Sequence, residues 1–147
     1  MNKPLRPTQR GQSLVEFAMI LPIFLLLAVV IFDLGRGVYY YSAIHNAARE
    51  GARYGVVYPN DSATMKSKAA NYAIGLGTTP ADVTAGYLRN DLNGNEAYIV
   101  KVTVNYCFVP VTPLVDLFIP KQDPAAKCQD LPMSSEAVMR TEAKPSP

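Results

Sequence analysis

The chain contains no tryptophan, one histidine and two cysteines. These scarcities exclude much chemistry. Two cysteines fall short of the four soft ligands that a structural zinc site needs. The lone His45 lies in a helical stretch and reads as a surface or packing residue. No metal motif, nucleophile elbow or phosphate loop is present. Asp91-x-Asn93-x-Asn95 begins like a calcium loop, but Glu96 stands where that loop requires Gly, and Val102 where it requires Glu. The stretch reads as a turn. Internal repeats and low-complexity tracts are also missing. Acids are absent before Gly11, where Lys3, Arg6 and Arg10 supply three positive charges. The net charge is +2, so the chain beyond that leader carries −1. A basic excess confined to a leader argues against a nucleic-acid partner. No catalytic, cofactor-binding or metal-binding residue is assigned, and the reading is of a protein that is not an enzyme.

What is present is a long uncharged run. Phe17 to Phe32 carries no charged side chain. Extended back to Leu14, it approaches the length a helix needs to cross hydrocarbon. A cleaved secretory signal would have a shorter apolar region and a small-residue cleavage site. Here the run is followed by Asp33-Leu-Gly-Arg-Gly37, so a retained anchor is expected. The basic leader sets the N-terminus inside and the rest outside, periplasmic or extracellular. Pro22 removes a backbone donor within the run and is expected to kink or loosen the helix. Tyr39, Tyr40 and Tyr41 follow, either as an interfacial anchor or packed on neighbours.

One acid interrupts the apolar entry to this run. Glu16 in hydrocarbon costs roughly 2.5–3.5 kcal/mol on insertion scales. That cost makes sense if the chain is cut after Gly11, so that Glu16 meets the new amine of Gln12. Residues four apart share a helix face.

The helical pattern continues to about Gly55. Ala43, Ala47, Gly51 and Gly55 recur every fourth residue and form a ridge of small side chains, which admits close helix packing. Its partner is either another helix or this chain's own globular part. Arg49 and Arg53 form a charged stripe on another face, with Glu50 beside them. Four segments are expected: a leader 1–11, a transmembrane helix 12–33, an exported extension of that helix 34–57, and a small exported domain 58–147.

The outer domain reads as α+β. Pro59 ends the first helix. Asp61 or Ser62 caps a second helix over Ala63–Ile74, closed by Gly75-Leu-Gly77. Strands are expected over 82–88, 97–109 and 133–142, with Asn93-Gly94 as a hairpin turn between the first two. Three antiparallel strands are needed, because two alone would be marginal. Val111 to Ile119 is an apolar excursion, read as a short helix covering the sheet or touching the membrane. Cys107 and Cys128 both fall in the exported part, where disulfides persist. One bridge would staple the excursion to the end of the second strand, and two free buried thiols are the alternative.

Gly11-Gln-Ser-Leu-Val-Glu16, behind its short basic leader, resembles the cleavage site of type IV prepilins. More narrowly, Arg10 to Ala18, Leu21-Pro22, Asp33-Leu-Gly-Arg36 and Asn46 to Tyr54 resemble the TadE-like proteins of the tight-adherence pilus system. The resemblance is specific over about Gly11 to Tyr54. It implies a pseudopilin or minor pilin whose residues Met1 to Gly11 are removed by a membrane prepilin peptidase. It also implies partnership with other Tad pilins and assembly platform proteins, as a homo- or hetero-oligomer in a filament. The mature chain would begin with Gln12, where many type IV pilins have Phe. An uncleaved scaffold of the same machine, and an anchored ligand-binding or enzymatic domain, are the competing expectations.

Overall fold

The computed structural model describes residues 10–92, 95–112, 128 and 130–141. Helix α1 spans Arg10–Val57, 48 residues, and runs through Pro22. Its first half is a free-standing apolar rod: side chains from Leu14 to Phe32 are mostly exposed. Its second half packs on a small sheet and on helix α2, Ser62–Tyr72. Pro59 sits in the intervening turn. Asp61 caps α2, its Oδ1 accepting the Thr64 backbone N–H at 3.0 Å. This satisfies one of the free donors that every helix start leaves behind. Beyond α2, Gly75 and Gly77 take φ of 80° and 66°, a backbone region that glycine enters without steric cost.

A single turn of 3₁₀ helix, Pro80–Asp82, leads into strands β1 (Val83–Leu92), β2 (Asn95–Phe108) and β3 (Leu131–Arg140). The sheet is antiparallel in the order β1-β2-β3. The α+β arrangement with a three-stranded antiparallel sheet is therefore the fold. β1 reaches four residues beyond the stretch read from the sequence, its register closing with Leu92 opposite Asn95. The proposed Asn93-Gly94 turn itself lies outside the described residues. So do most of the Val111–Ile119 excursion and nearly all of the basic leader. β3 begins and ends two residues earlier than the stretch 133–142 expected from the sequence.

Side chains alternate across a strand, and β2 shows it clearly. Val100, Val102 and Val104 are fully buried, and between them Lys101 and Thr103 face outward. The buried valines meet Ile44, Ala47, Ala48 and Ala52 of α1, and Met65 and Ala69 of α2. On the outer face Lys101 Nζ lies 2.7 Å from Glu136 of β3. The molecule is thus a two-layer domain whose helical layer includes the C-terminal half of the long helix α1.

Candidate functional site

Three parts of α1 carry functional meaning: its start, its middle and its packed second half. At the start, Gly11, Gln12 and Glu16 are exposed. They line one shallow furrow on the helix together with Val15 and Met19, as the i, i+4 spacing requires. A Cβ built on Gly11 meets no atom within 4 Å. This glycine is therefore not demanded by packing within the chain.

Over the apolar stretch α1 has an 18-residue window of mean hydropathy 2.8, none of it buried within the protein. Buried core helices of water-soluble domains pass the same length test but hide their apolar windows. This one is bare on all sides, the expected state of a helix whose solvent is lipid. The chain is membrane-anchored by this helix.

In the second half, the small-residue ridge has a definite partner. Ala47 is fully buried, Gly51 and Gly55 are buried, and Ala43 is half-buried. A Cβ on Gly51 would lie 2.9 Å from the Ala69 Cβ and 3.1 Å from Val102 Cγ1. One on Gly55 would lie 2.7 Å from both Met65 Sδ and Val100 Cγ1. Of the two readings left open by the sequence, the ridge packs against this chain's own α2 and β2. Arg49 and Arg53 are exposed. His45 is exposed on α1, with Nδ1 3.1 Å from the Ser135 hydroxyl of β3. Tyr40 turns inward, with its ring centroid 5.4 Å from that of Tyr106 and 5.7 Å from that of Phe108. Tyr39 and Tyr41 remain exposed.

The junction between the lipid-type half and the packed half holds a cluster to which the sequence reading gave no role. Asp33 is buried at the end of the apolar run. Its carboxylate accepts the backbone N–H groups of Val111 and Thr112, at 3.0 and 2.7 Å, and the Thr112 hydroxyl. Arg36, one turn on, donates to Asp33 at 3.3 Å. Its guanidinium also stacks 5.6 Å from the Tyr40 ring centroid and 5.7 Å from that of Phe108, a cation–π arrangement. Asp33 and Arg36 were visible as an i, i+3 pair of opposite charge. Nothing in the sequence pointed to Thr112, 79 positions away.

Beyond the junction, Cys107 at the end of β2 is joined to Cys128 by a disulfide, with Cα atoms 5.4 Å apart. The bridge closes the segment that follows the Asp33 contact. Among the described residues no group of three His, Cys, Asp or Glu side chains is placed to hold a metal ion.

Comparison with known proteins adds one finding. The family model described as TadE-like protein matches residues 11–53. No curated protein and no solved structure matches the chain. The matched segment starts at the glycine that opens the furrow, takes in the whole apolar rod and the Asp33–Arg36 junction, and ends two residues after the first glycine of the packed ridge. Over this helix, the chain is similar to the TadE-like proteins.

Proposed function

We propose that this chain is a minor pilin or pseudopilin of a Tad-type pilus, processed after Gly11 by a prepilin peptidase and acting in pilus assembly, adhesion or secretion. The observation that carries the reading is the TadE-like match over 11–53 on a bare apolar helix. That helix begins with an exposed Gly11 and bears an exposed Glu16 one turn inside. Its role is structural rather than catalytic. The leader lies on the cytoplasmic side and the α+β domain on the outer side of the cytoplasmic membrane. Other Tad pilins and the assembly platform are its partners.

In this reading Glu16 has an assembly task. Cutting after Gly11 creates an amine on Gln12, on the same helix face. An unpaired carboxylate at the inner edge of the hydrocarbon opposes transfer of the helix between lipid and a protein filament, whereas a carboxylate paired with an amine is tolerated. The mass of the mature chain tests the reading directly. A start at Gln12 supports it, and a start at Met1 would favour an uncleaved scaffold. Shearing separates the same alternatives, since only a filament subunit enters the sheared fraction. Glu16→Gln is expected to be processed normally and to assemble poorly. Normal filament incorporation of that variant would remove the charge-pairing role.

A further inference from the structure

The junction cluster fixes the height of the outer domain above the membrane. An α-helix rises about 1.5 Å per residue, so the uncharged run Phe17–Phe32 covers only about 24 Å of a hydrocarbon core about 30 Å thick. The twenty steps of rise from Glu16 to Arg36 cover about 30 Å. The two ionic side chains therefore bracket the core, and Asp33 falls one turn inside its outer edge. A carboxylate is tolerated there because its oxygens are already occupied by Val111, Thr112 and Arg36. Arg36 can carry its head group outward along its aliphatic stem.

Asp33 is bonded to the backbone of Val111 and Thr112, so that backbone lies at the same level. The tip of the outer domain must then meet the outer leaflet. Its exposed side chains suit that place. Val109 is 58% exposed and Val111 67% exposed, while Leu34 and Val38 on the adjoining face of α1 are 66% and 69% exposed. Between tip and helix lies an apolar cavity of about 440 Å³, lined by Leu34, Val38, Phe108, Pro110, Leu131 and Met133. That volume lies within the range of small-ligand pockets. Val30, half-buried at the end of the apolar rod, also lines it.

We propose that the Val109–Val111 tip inserts into the outer leaflet and that a phospholipid acyl chain occupies the adjoining cavity. The proposal rests on α1 spanning the membrane. The domain is then docked on the bilayer surface and is not held clear of it on a stalk.

The absence of tryptophan makes the test direct, because each substitution introduces a unique fluorophore. The full chain would be reconstituted into phosphatidylethanolamine–phosphatidylglycerol vesicles whose acyl chains are unbrominated, brominated near the head group, or brominated near the terminal methyl. Phe24→Trp reports on the middle of the span. Tyr72→Trp, on an exposed position of α2, reports on the far part of the domain. Val111→Trp is expected to emit in the blue and to lose emission in brominated lipid, with Tyr72→Trp red-shifted and unquenched. Val109→Trp reports from the same tip and carries the test if Val111→Trp does not fold. Tip variants that emit like Tyr72→Trp, while Phe24→Trp is quenched, overturn the proposal alone. Blue emission at the tip that brominated lipid leaves unquenched means that protein covers the cavity, and also overturns it. An unquenched Phe24→Trp removes the membrane span and the proposal together.

Discussion

The carboxylate of Asp33 on α1 accepts the backbone N–H of Thr112 at 2.7 Å across 79 positions of sequence. With the Val111 N–H and the Thr112 hydroxyl on the same carboxylate, one side chain fastens the segment after β2 to the helix. Asp33→Ala leaves these donors without their acceptor, and buried donors without partners are costly. Asp33→Asn keeps one acceptor oxygen but offers fewer lone pairs and no charge. Amide hydrogen exchange at Val111 and Thr112 is expected to accelerate in Asp33→Asn and more so in Asp33→Ala. Protection in the β2 interior, around Val102, should change little.

The buried glycines make a second prediction with a sign that depends on position. Glycine costs a helix interior about 1 kcal/mol relative to alanine. At Gly35, where an added Cβ meets nothing within 4 Å, alanine should raise stability by about that amount. At Gly51 and Gly55 the same Cβ falls 2.9 Å or less from neighbouring side-chain atoms. Overpacking of this kind costs about 1–3 kcal/mol, which offsets or exceeds the propensity gain. Denaturation in detergent should therefore rank Gly35→Ala above the parent chain. Gly51→Val, with two more carbons to place, should fall well below it.

The corner between α1 and α2 titrates from both ends. Hydrogen bonds from the Thr64 side chain and then its backbone N–H, outweighing partial burial, hold the Asp61 carboxyl below its ordinary value of 3.8. Burial first, and then the bond to Asp61, raises the Tyr54 phenol above 10.0. The depressed acid adds stability that is present above its unfolded pKa and lost as pH falls through the folded one. The raised phenol adds stability that is present below its unfolded pKa and lost as pH rises through the folded one. Stability should thus be flat between about pH 5 and 9 as far as these groups are concerned. Asp61→Asn, which keeps a capping side chain, should blunt the acid loss, and Tyr54→Phe the alkaline one. Thermal unfolding followed across pH for the three chains separates these effects.

The sequence made some of this architecture readable and hid the rest for physical reasons. The apolar run from Phe17, the small ridge from Ala43 and the β-branched alternation of β2 are local periodic signals, and each corresponds to an element seen in the structure. The partner of the ridge was not readable, because small side chains invite a foreign helix and the chain's own sheet equally. Met65, Ala69, Val100 and Val102 settle it only once α2 and β2 are folded over Gly51 and Gly55. The role of Asp33 was hidden for the same reason. A charge after an apolar run looks like the end of the membrane, and its bond to Thr112 is a long-range contact with no local pattern. The far end of β1 is not legible because Asn90 and Asp91, residue types depleted in strands, resemble a turn, whereas pairing with Asn95–Ala97 of β2 draws 90–92 into the ladder.

Joining Cys107 to Cys128 closes a loop with a separation of 21 positions. Loop-closure entropy assigns such a bridge about 3 kcal/mol. The Cys107→Ser, Cys128→Ser double variant should lose stability on that scale when denaturation is followed at equilibrium. Reductant should lower the parent chain towards the same value and leave the variant unchanged. Far-ultraviolet dichroism of the native state should keep its helical signal in both, because α1 packs on β2 and β3 through contacts that the bridge does not make.

The last prediction separates folding from processing at Gly11. An added Cβ there meets no atom within 4 Å, so Gly11→Val leaves the packing of the outer domain untouched. The position lies some thirty residues before the first fully buried residue of α1, Ile44. A peptidase that must bring its catalytic groups to the peptide bond after Gly11 has no such freedom, because a branched side chain crowds that approach. The Gly11→Val chain is therefore expected to reach the membrane, form its disulfide and unfold at the parent temperature, while retaining the mass of the uncut leader. A correctly shortened Gly11→Val chain would show that the peptidase does not read this residue. An uncut chain that also lacked the disulfide would show that the substitution acts on folding or export.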